Sequence, residues 1–310
     1  MAFSATDAAF EGFRLTREKP VAVLIWAALY LVITLISSLL LVLWAGQDMA
    51  AMREVSATAT APADPERAAE MMQGLAKIYA IGLPIGLISS GLLTCAVFRA
   101  VLRPQDKGLG YLKFGAEELR MILLFVLIFF IFMAVLIGAT LLVGLVTAGV
   151  AFAVASAGGG AAALSTLVGM LGVVAVLAAM VWLAVRLSLA GPMTFVEGRI
   201  DLRGAWMMTR GNFWPIFGAG LLAWVLAILV TILGAAILFG VGMVVGGGLS
   251  AVDEIMNPDT SSLAAYFTPT FFVVSVFSAI FSALQYAIVI ATPAMIYRDL
   301  KGMGEAEAFG

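Results

Sequence analysis

The chain has 310 residues, of which 63% are hydrophobic and only 12% charged, with a formal net charge of −2. A soluble domain carries about a quarter charged residues, and a mean hydropathy of +1.10 is more apolar surface than a soluble core of this size can hide. There is no histidine, the commonest general base and metal ligand, and the single Cys95 is too few for an intrachain disulfide or a cysteine metal site; no cofactor or metal is expected, and the charge balance gives no basis for nucleic-acid binding.

The N-terminal segment puts Phe3, Phe10 and Phe13 at helical spacing, with Asp7, Glu11, Arg14 and Glu18 on an adjoining face. The run 21–45 has 25 uncharged residues. That exceeds a secretory core of about 7–15 and suffices to cross a hydrocarbon layer of about 30 Å, so it reads as a retained first span. Residues 47–74, with Thr-Ala-Thr-Ala-Pro-Ala-Asp-Pro at 58–65, read as a loop. The second span covers 78–98. Its Gly82, Gly86 and Ser90, four apart, permit close helix approach, Pro84 is a candidate kink, and Cys95 reads as a packed small hydrophobe.

In the next segment Leu109, Leu112, Ala116 and Leu119 form an apolar stripe beside Lys113, Glu117 and Arg120. Glu117 and Glu118 are the best acids a membrane enzyme could use, but at a helix start beside basic residues they read as a salt-bridge face. No charged residue lies between Arg120 and Arg186. That run holds two spans, 121–150 and 164–189, with the turn at 156–160. Arg186, near the inner end of span four, can snorkel to the interface or pair with Glu197 or with the helix of Gln285. Leu202, Trp206, Thr209 and Phe213 form a third stripe, flanked by Arg199, Arg203 and Arg210. Span five covers 213–245, and Gly242 and Gly246 offer another close-approach face. The acidic residues Asp253, Glu254 and Asp259 follow, in what reads as a solvated outer loop.

Span six covers 270–296 and carries Ser275, Ser278, Ser282, Gln285 and Thr292 on one helical face. An unpaired amide at membrane depth is expensive, so this face must meet protein or water. Two readings stay open: interhelical hydrogen-bond glue, or the wall of a polar cavity for a headgroup or small amphiphile. No Asp, Glu, Lys or Arg lies near the middle of any span, which argues against a proton-driven pump.

Of the 17 Lys and Arg, 14 lie before span one, between spans two and three, between spans four and five, or after span six; only Arg53, Arg67 and Lys77 lie on the other side. Basic loops stay in the cytoplasm, so both termini are expected there, in a bacterial inner membrane. The expected fold is all-α, a single six-span membrane domain over 1–310. It is built from three parallel two-helix units of about 1–104, 105–198 and 199–301, each opened by an amphipathic elbow on the inner leaflet. The even spans support the repeat, because they end alike at Thr94–Arg99, Pro192–Glu197 and Pro293–Arg298.

Thr-Arg-Gly-Asn-Phe-Trp at 209–214, opening a span, follows Arg-Leu-Ser-Leu-Ala-Gly-Pro at 186–192, closing the previous one. This pattern resembles the membrane domain fused to some bacterial glycerophosphodiester phosphodiesterases, and related six-span proteins. Residues 111–120 are similar to alphaproteobacterial members. The resemblance implies a six-span membrane part and no chemistry. The phosphodiesterase activity of that family resides in a separate barrel that uses histidines, and this chain has none.

The expected function is therefore non-enzymatic, with no catalytic residue: binding or moving membrane lipids or small amphiphiles. The candidate cavity residues are Ser275, Ser278, Ser282, Gln285 and Thr292. The candidate headgroup ligands are Arg14, Arg17, Lys113, Arg120, Arg186, Arg203 and Arg210. The alternative is a scaffold for another membrane protein or a homo-oligomer; a membrane enzyme ranks below both.

Overall fold

The computed structural model describes residues 4–57, 65–106, 108–156, 161–248 and 250–302. Their regular structure is helical: α1 (Ala5–Glu18), α2 (Pro20–Ala57), α3 (Pro65–Leu102), a 3₁₀ turn at Leu109–Tyr111, α4 (Ala116–Ser156), α5 (Ala161–Leu187), α6 (Ala190–Glu197), α7 (Leu202–Met208), α8 (Phe213–Val245), α9 (Ser250–Met256), α10 (Leu263–Tyr266) and α11 (Pro269–Leu300). Six of these stretches are long and apolar enough to cross a bilayer, and together they make a multi-pass membrane protein. Each expected span falls within one of them. Span four runs past Leu187, bends at Ser188–Leu189 and continues into α6.

The long helices form because their sequences supply apolar side chains without an interior breaker strong enough to end them. Pro84 and Pro293 sit inside α3 and α11, which continue through both. Ends are set by caps. Ser4 Oγ accepts from the Asp7 amide at 3.2 Å. Asp201 accepts from the Gly204 amide at 2.7 Å, and Thr268 from the Phe271 amide at 3.1 Å. Pro269 then occupies the first turn of α11, where its missing N–H costs nothing.

α11 is the hub, with α1, α2, α3 and α8 gathered around it. Ala279, Ala283, Ala287 and Ala291, spaced four apart, are buried along one of its faces and allow close packing. α4 and α5 form a hairpin that packs mainly on itself. Phe129, Phe130, Leu141, Leu145 and Phe152 of α4 are exposed, a surface suited to lipid chains rather than water.

The region read as a loop at 47–74 is largely helical instead. α2 continues to Ala57 and α3 starts at Pro65. Lys77 binds Asp48 at 2.7 Å across the pair, which ties the helices together beyond the apolar run. Residues 58–64, and the turn expected at 157–160, lie outside the described residues.

The segments opening the three units fold differently from one another. α1 presents Ala8, Ala9 and Gly12 to α8 and α11, while Phe10 and Phe13 are exposed; Phe3 lies outside the described residues. The second segment is not one helix. Gly110 (φ +59°) and Tyr111 (φ +61°) take left-handed backbone, Leu112 is extended, and α4 begins only at Ala116. The third is the seven-residue α7. Gly82 and Gly86 are not at a helix contact, since a Cβ on either would meet nothing within 4 Å. The close approach in α3 is at Gly91, where a Cβ would lie 2.6 Å from Ile122 Cγ1.

Candidate functional site

The end of the bundle where α1 lies and α11 finishes is organised around Arg99, in the last turn of α3 and only 1% exposed. Its guanidinium binds Glu117 at 2.7 Å and also Glu118, which is itself 1% exposed. It donates to the Tyr111 carbonyl at 3.0 Å as well. Glu118 also accepts from the Gly115 amide at 2.9 Å, at the start of α4. Arg103 binds the other oxygen of Glu117 at 2.7 Å and lies over the Phe195 ring at 4.6 Å. Lys19 donates to the Ala100 carbonyl at 2.6 Å and sits over Tyr111. Trp26 Nε1 donates to the Gly110 carbonyl at 2.6 Å. These contacts join α2, α3, α4 and α6. Both acids are held by arginines as a structural clamp, which is how a salt-bridge face at the helix start would look.

The seven basic candidates divide into three groups. Arg14, Lys113 and Arg120 are engaged by the protein itself. Arg14 pairs with Glu11 at 2.9 Å, Lys113 pairs with Asp106, and Arg120 donates to the Ala116 carbonyl at 3.1 Å and to the Gly198 carbonyl. Arg17, Arg203 and Arg210 are exposed, with no ion pair among the described residues.

Arg186 stands apart. Its Nε and Nη1 are buried and have no hydrogen-bond partner among the described residues. The guanidinium lies 5.6 Å from the ring centroids of both Trp182 and Trp206, and the two indoles meet edge to face at 4.9 Å. Glu197, one of the alternative partners, is engaged by Arg199 and Lys301. Aromatic faces stabilise a guanidinium but offer its N–H groups no acceptor. Two of its nitrogens are thus left without an acceptor among the described residues, in the last turn of α5.

The polar face of α11 is shared among separate environments. Thr292 is satisfied within its own helix, donating to the Ile288 carbonyl at 3.0 Å. Gln285 donates from its amide nitrogen to Thr231 on α8, and Thr231 donates to the Ala227 carbonyl at 2.8 Å. Gln285 and Ser282 line a recess of about 340 Å³, with Tyr30 of α2 and Trp224 of α8 among its walls. Beside it Tyr286 bonds Thr94 at 2.7 Å and the Ser90 carbonyl at 3.0 Å, linking α11 to α3. Ser275 and Ser278 open elsewhere, into a pocket nearer the other end of the bundle.

No family model, curated protein or solved structure matches this chain.

Among the described residues no group of three or more histidine, cysteine or acidic side chains could hold a metal ion. Sequence reasoning missed Arg99, because an arginine at a span end looks like any other interfacial cation. Its two acids follow 18 and 19 residues later, beyond the reach of any helical periodicity. Trp182 was missed for the same reason. It stands four residues from Arg186 on α5, a spacing that signals a shared face, but its second wall, Trp206, comes from another helix.

Proposed function

We propose that this chain is a non-enzymatic protein of the bacterial inner membrane that binds anionic lipids from the cytoplasmic leaflet, with both termini in the cytoplasm. One observation carries the reading: the Arg186 guanidinium, partly buried between Trp182 and Trp206, with two N–H-bearing nitrogens that no acceptor among the described residues reaches. A phosphodiester supplies an anionic acceptor there, and a basic side chain near an anionic leaflet contributes about 1 kcal/mol of attraction. The exposed Arg203 and Arg210 of the same segment add to the local field. The three-unit organisation, with basic segments facing the same leaflet, and the resemblance to the membrane domain of the glycerophosphodiester phosphodiesterase family belong to the same reading.

The test is lipid retention. Protein purified in mild detergent is analysed by native mass spectrometry for bound phosphatidylglycerol or cardiolipin, beside Arg186→Gln. The expected result is retained anionic lipid in the parent and loss of at least one lipid equivalent in the variant. Equal retention by both removes Arg186 from the function.

The scaffold reading keeps one specific observation in its favour: the α4–α5 hairpin exposes apolar side chains along most of its length. Photo-crosslinking from Phe130 or Leu145 in membranes discriminates the two readings. Capture of one membrane protein at stoichiometric yield supports the scaffold, and capture of lipid alone supports the carrier.

A further inference from the structure

At the end of the bundle opposite Arg99, a second site is built from α2, α9, α10 and α11. Its cavity is about 210 Å³ and is lined by Thr34, Glu254, Thr270, Ser275 and Ser278. At about 30 Å³ per water-sized group, that space takes roughly seven such groups: an aminoalkyl chain, not a whole phospholipid. Tyr266 and Phe271 add aromatic walls, their ring centroids 5.0 Å apart. The Tyr266 hydroxyl is fixed by donating to Ser38 at 3.4 Å, and the Thr260 hydroxyl anchors the adjoining loop to the Gly46 carbonyl at 2.9 Å.

Tyr266 and Thr268 of this pocket are engaged by the protein, through Ser38 and the cap of α11, but its other polar side chains are not. Thr270 and Ser275 are each only 5% exposed. Neither their hydroxyls nor those of Thr34 and Ser278 make a hydrogen bond with another described residue. Helical hydroxyls normally fall back on a carbonyl of the preceding turn, as Thr231 and Thr292 do here. Glu254 has no cationic partner among the described residues. A carboxylate without a counterion, beside hydroxyl oxygens and aromatic faces, is the complement of a cation that carries N–H donors.

The geometry points to a binding site for a primary ammonium group, with Glu254 as counterion and the hydroxyls of Thr270, Ser275 and Ser278 as acceptors for its N–H bonds. A quaternary ammonium would satisfy the aromatic walls and leave the hydroxyls unbonded. A neutral alcohol would leave Glu254 without a counterion. The primary amine can come from the ethanolamine headgroup of an outer-leaflet lipid or from a soluble alkylamine. The inference does not depend on the anionic site at Arg186.

The experiment titrates n-propylamine, n-propanol and tetramethylammonium into the full-length protein in nanodiscs of phosphatidylglycerol, read by isothermal titration calorimetry. Saturable binding of propylamine alone is expected. Glu254→Gln should weaken it about tenfold or more, and Ser275→Ala by a smaller factor, with both variants showing the parent's melting temperature. Should Glu254→Gln lower that temperature, Ser278→Ala carries the test in its place, and again weaker propylamine binding is expected. Unchanged propylamine affinity in the variants, equal affinity for tetramethylammonium, or no propylamine heat overturns the inference. Repeating the titration in phosphatidylethanolamine nanodiscs identifies the source. Apparent propylamine affinity that falls there assigns the site to the lipid headgroup, and unchanged affinity assigns it to a soluble amine.

Discussion

Gly12 and Ile288 meet backbone to backbone. A Cβ on Gly12 would lie 2.3 Å from the Ile288 Cα, 2.7 Å from its nitrogen and 2.8 Å from the Ala287 carbonyl oxygen. α1 can settle on α11 only because residue 12 has no side chain. On each side of the contact the sequence supplies small residues: Ala8 and Ala9 on α1, Ala283, Ala287 and Ala291 on α11. In the absence of a hydrophobic drive between helices in lipid, this close approach is what holds α1 in place.

Gly12→Ala should therefore destabilise the protein although alanine is the better helix former. Overpacking against backbone costs about 1–3 kcal/mol, more than the roughly 1 kcal/mol that alanine gains in helix propensity. Melting temperature in detergent checks it, with Gly86→Ala as control because that position is open. A Gly12→Ala protein as stable as the control would mean that α1 is not docked as described.

The Arg99 clamp predicts a non-additive pair. Arg99→Met strands Glu118, which is 1% exposed, and breaking a buried ion pair from one side costs about 3–5 kcal/mol. Adding Glu118→Leu removes the orphaned charge, while Glu117 keeps its 2.7 Å bond to Arg103. The double variant should melt above the Arg99→Met single, and additive losses would show that the two side chains do not interact.

The six spans were legible because continuous apolar runs of about 20 residues have one solution in a bilayer. The helical extensions around Lys77 and Asp48 were not, since a polar, Ala-rich stretch reads equally as loop or as helix outside the membrane. The glycine pattern at Gly82 and Gly86 misled for a related reason: small residues permit contact without requiring it, and the contact was made at Gly91 instead. Arg186 was legible as a cation near the end of a span. Its isolation was not, because a missing partner is a property of three-dimensional surroundings.

Glu11 gives a pH dependence whose sign follows from its position. It is 5% exposed against α11, and burial raises its pKa above 4.5, opposed by the charges of Arg14 and Arg298. The folded state then holds its proton more tightly than the unfolded chain does. This contribution to stability is present below pH 4.5 and is lost as pH rises from there through the folded-state value. Melting temperatures of the parent and Glu11→Gln, measured from about pH 4 to about pH 7, should converge at the acidic end. The parent's decline across that window should be steeper than the variant's; parallel curves would remove Glu11 as its source.

Gln285 separates glue from cavity wall. Its amide donates to Thr231, but Thr231 keeps its own bond to the Ala227 carbonyl, so Gln285→Leu leaves no stranded hydroxyl on α8. If the amide only joins α8 to α11, the substitution costs about 0.6–2 kcal/mol and changes nothing else. If it also lines a working recess with Ser282 and Tyr30, the leucine removes the polar group while the recess stays open. Bound amphiphile in the purified protein should then fall although the protein still melts cooperatively. The expected outcome is a loss of bound amphiphile larger than the stability change explains, read by mass spectrometry of extracted lipid beside a melting curve. A variant that melts lower and carries the parent's full lipid complement would reduce Gln285 to a bond between two helices.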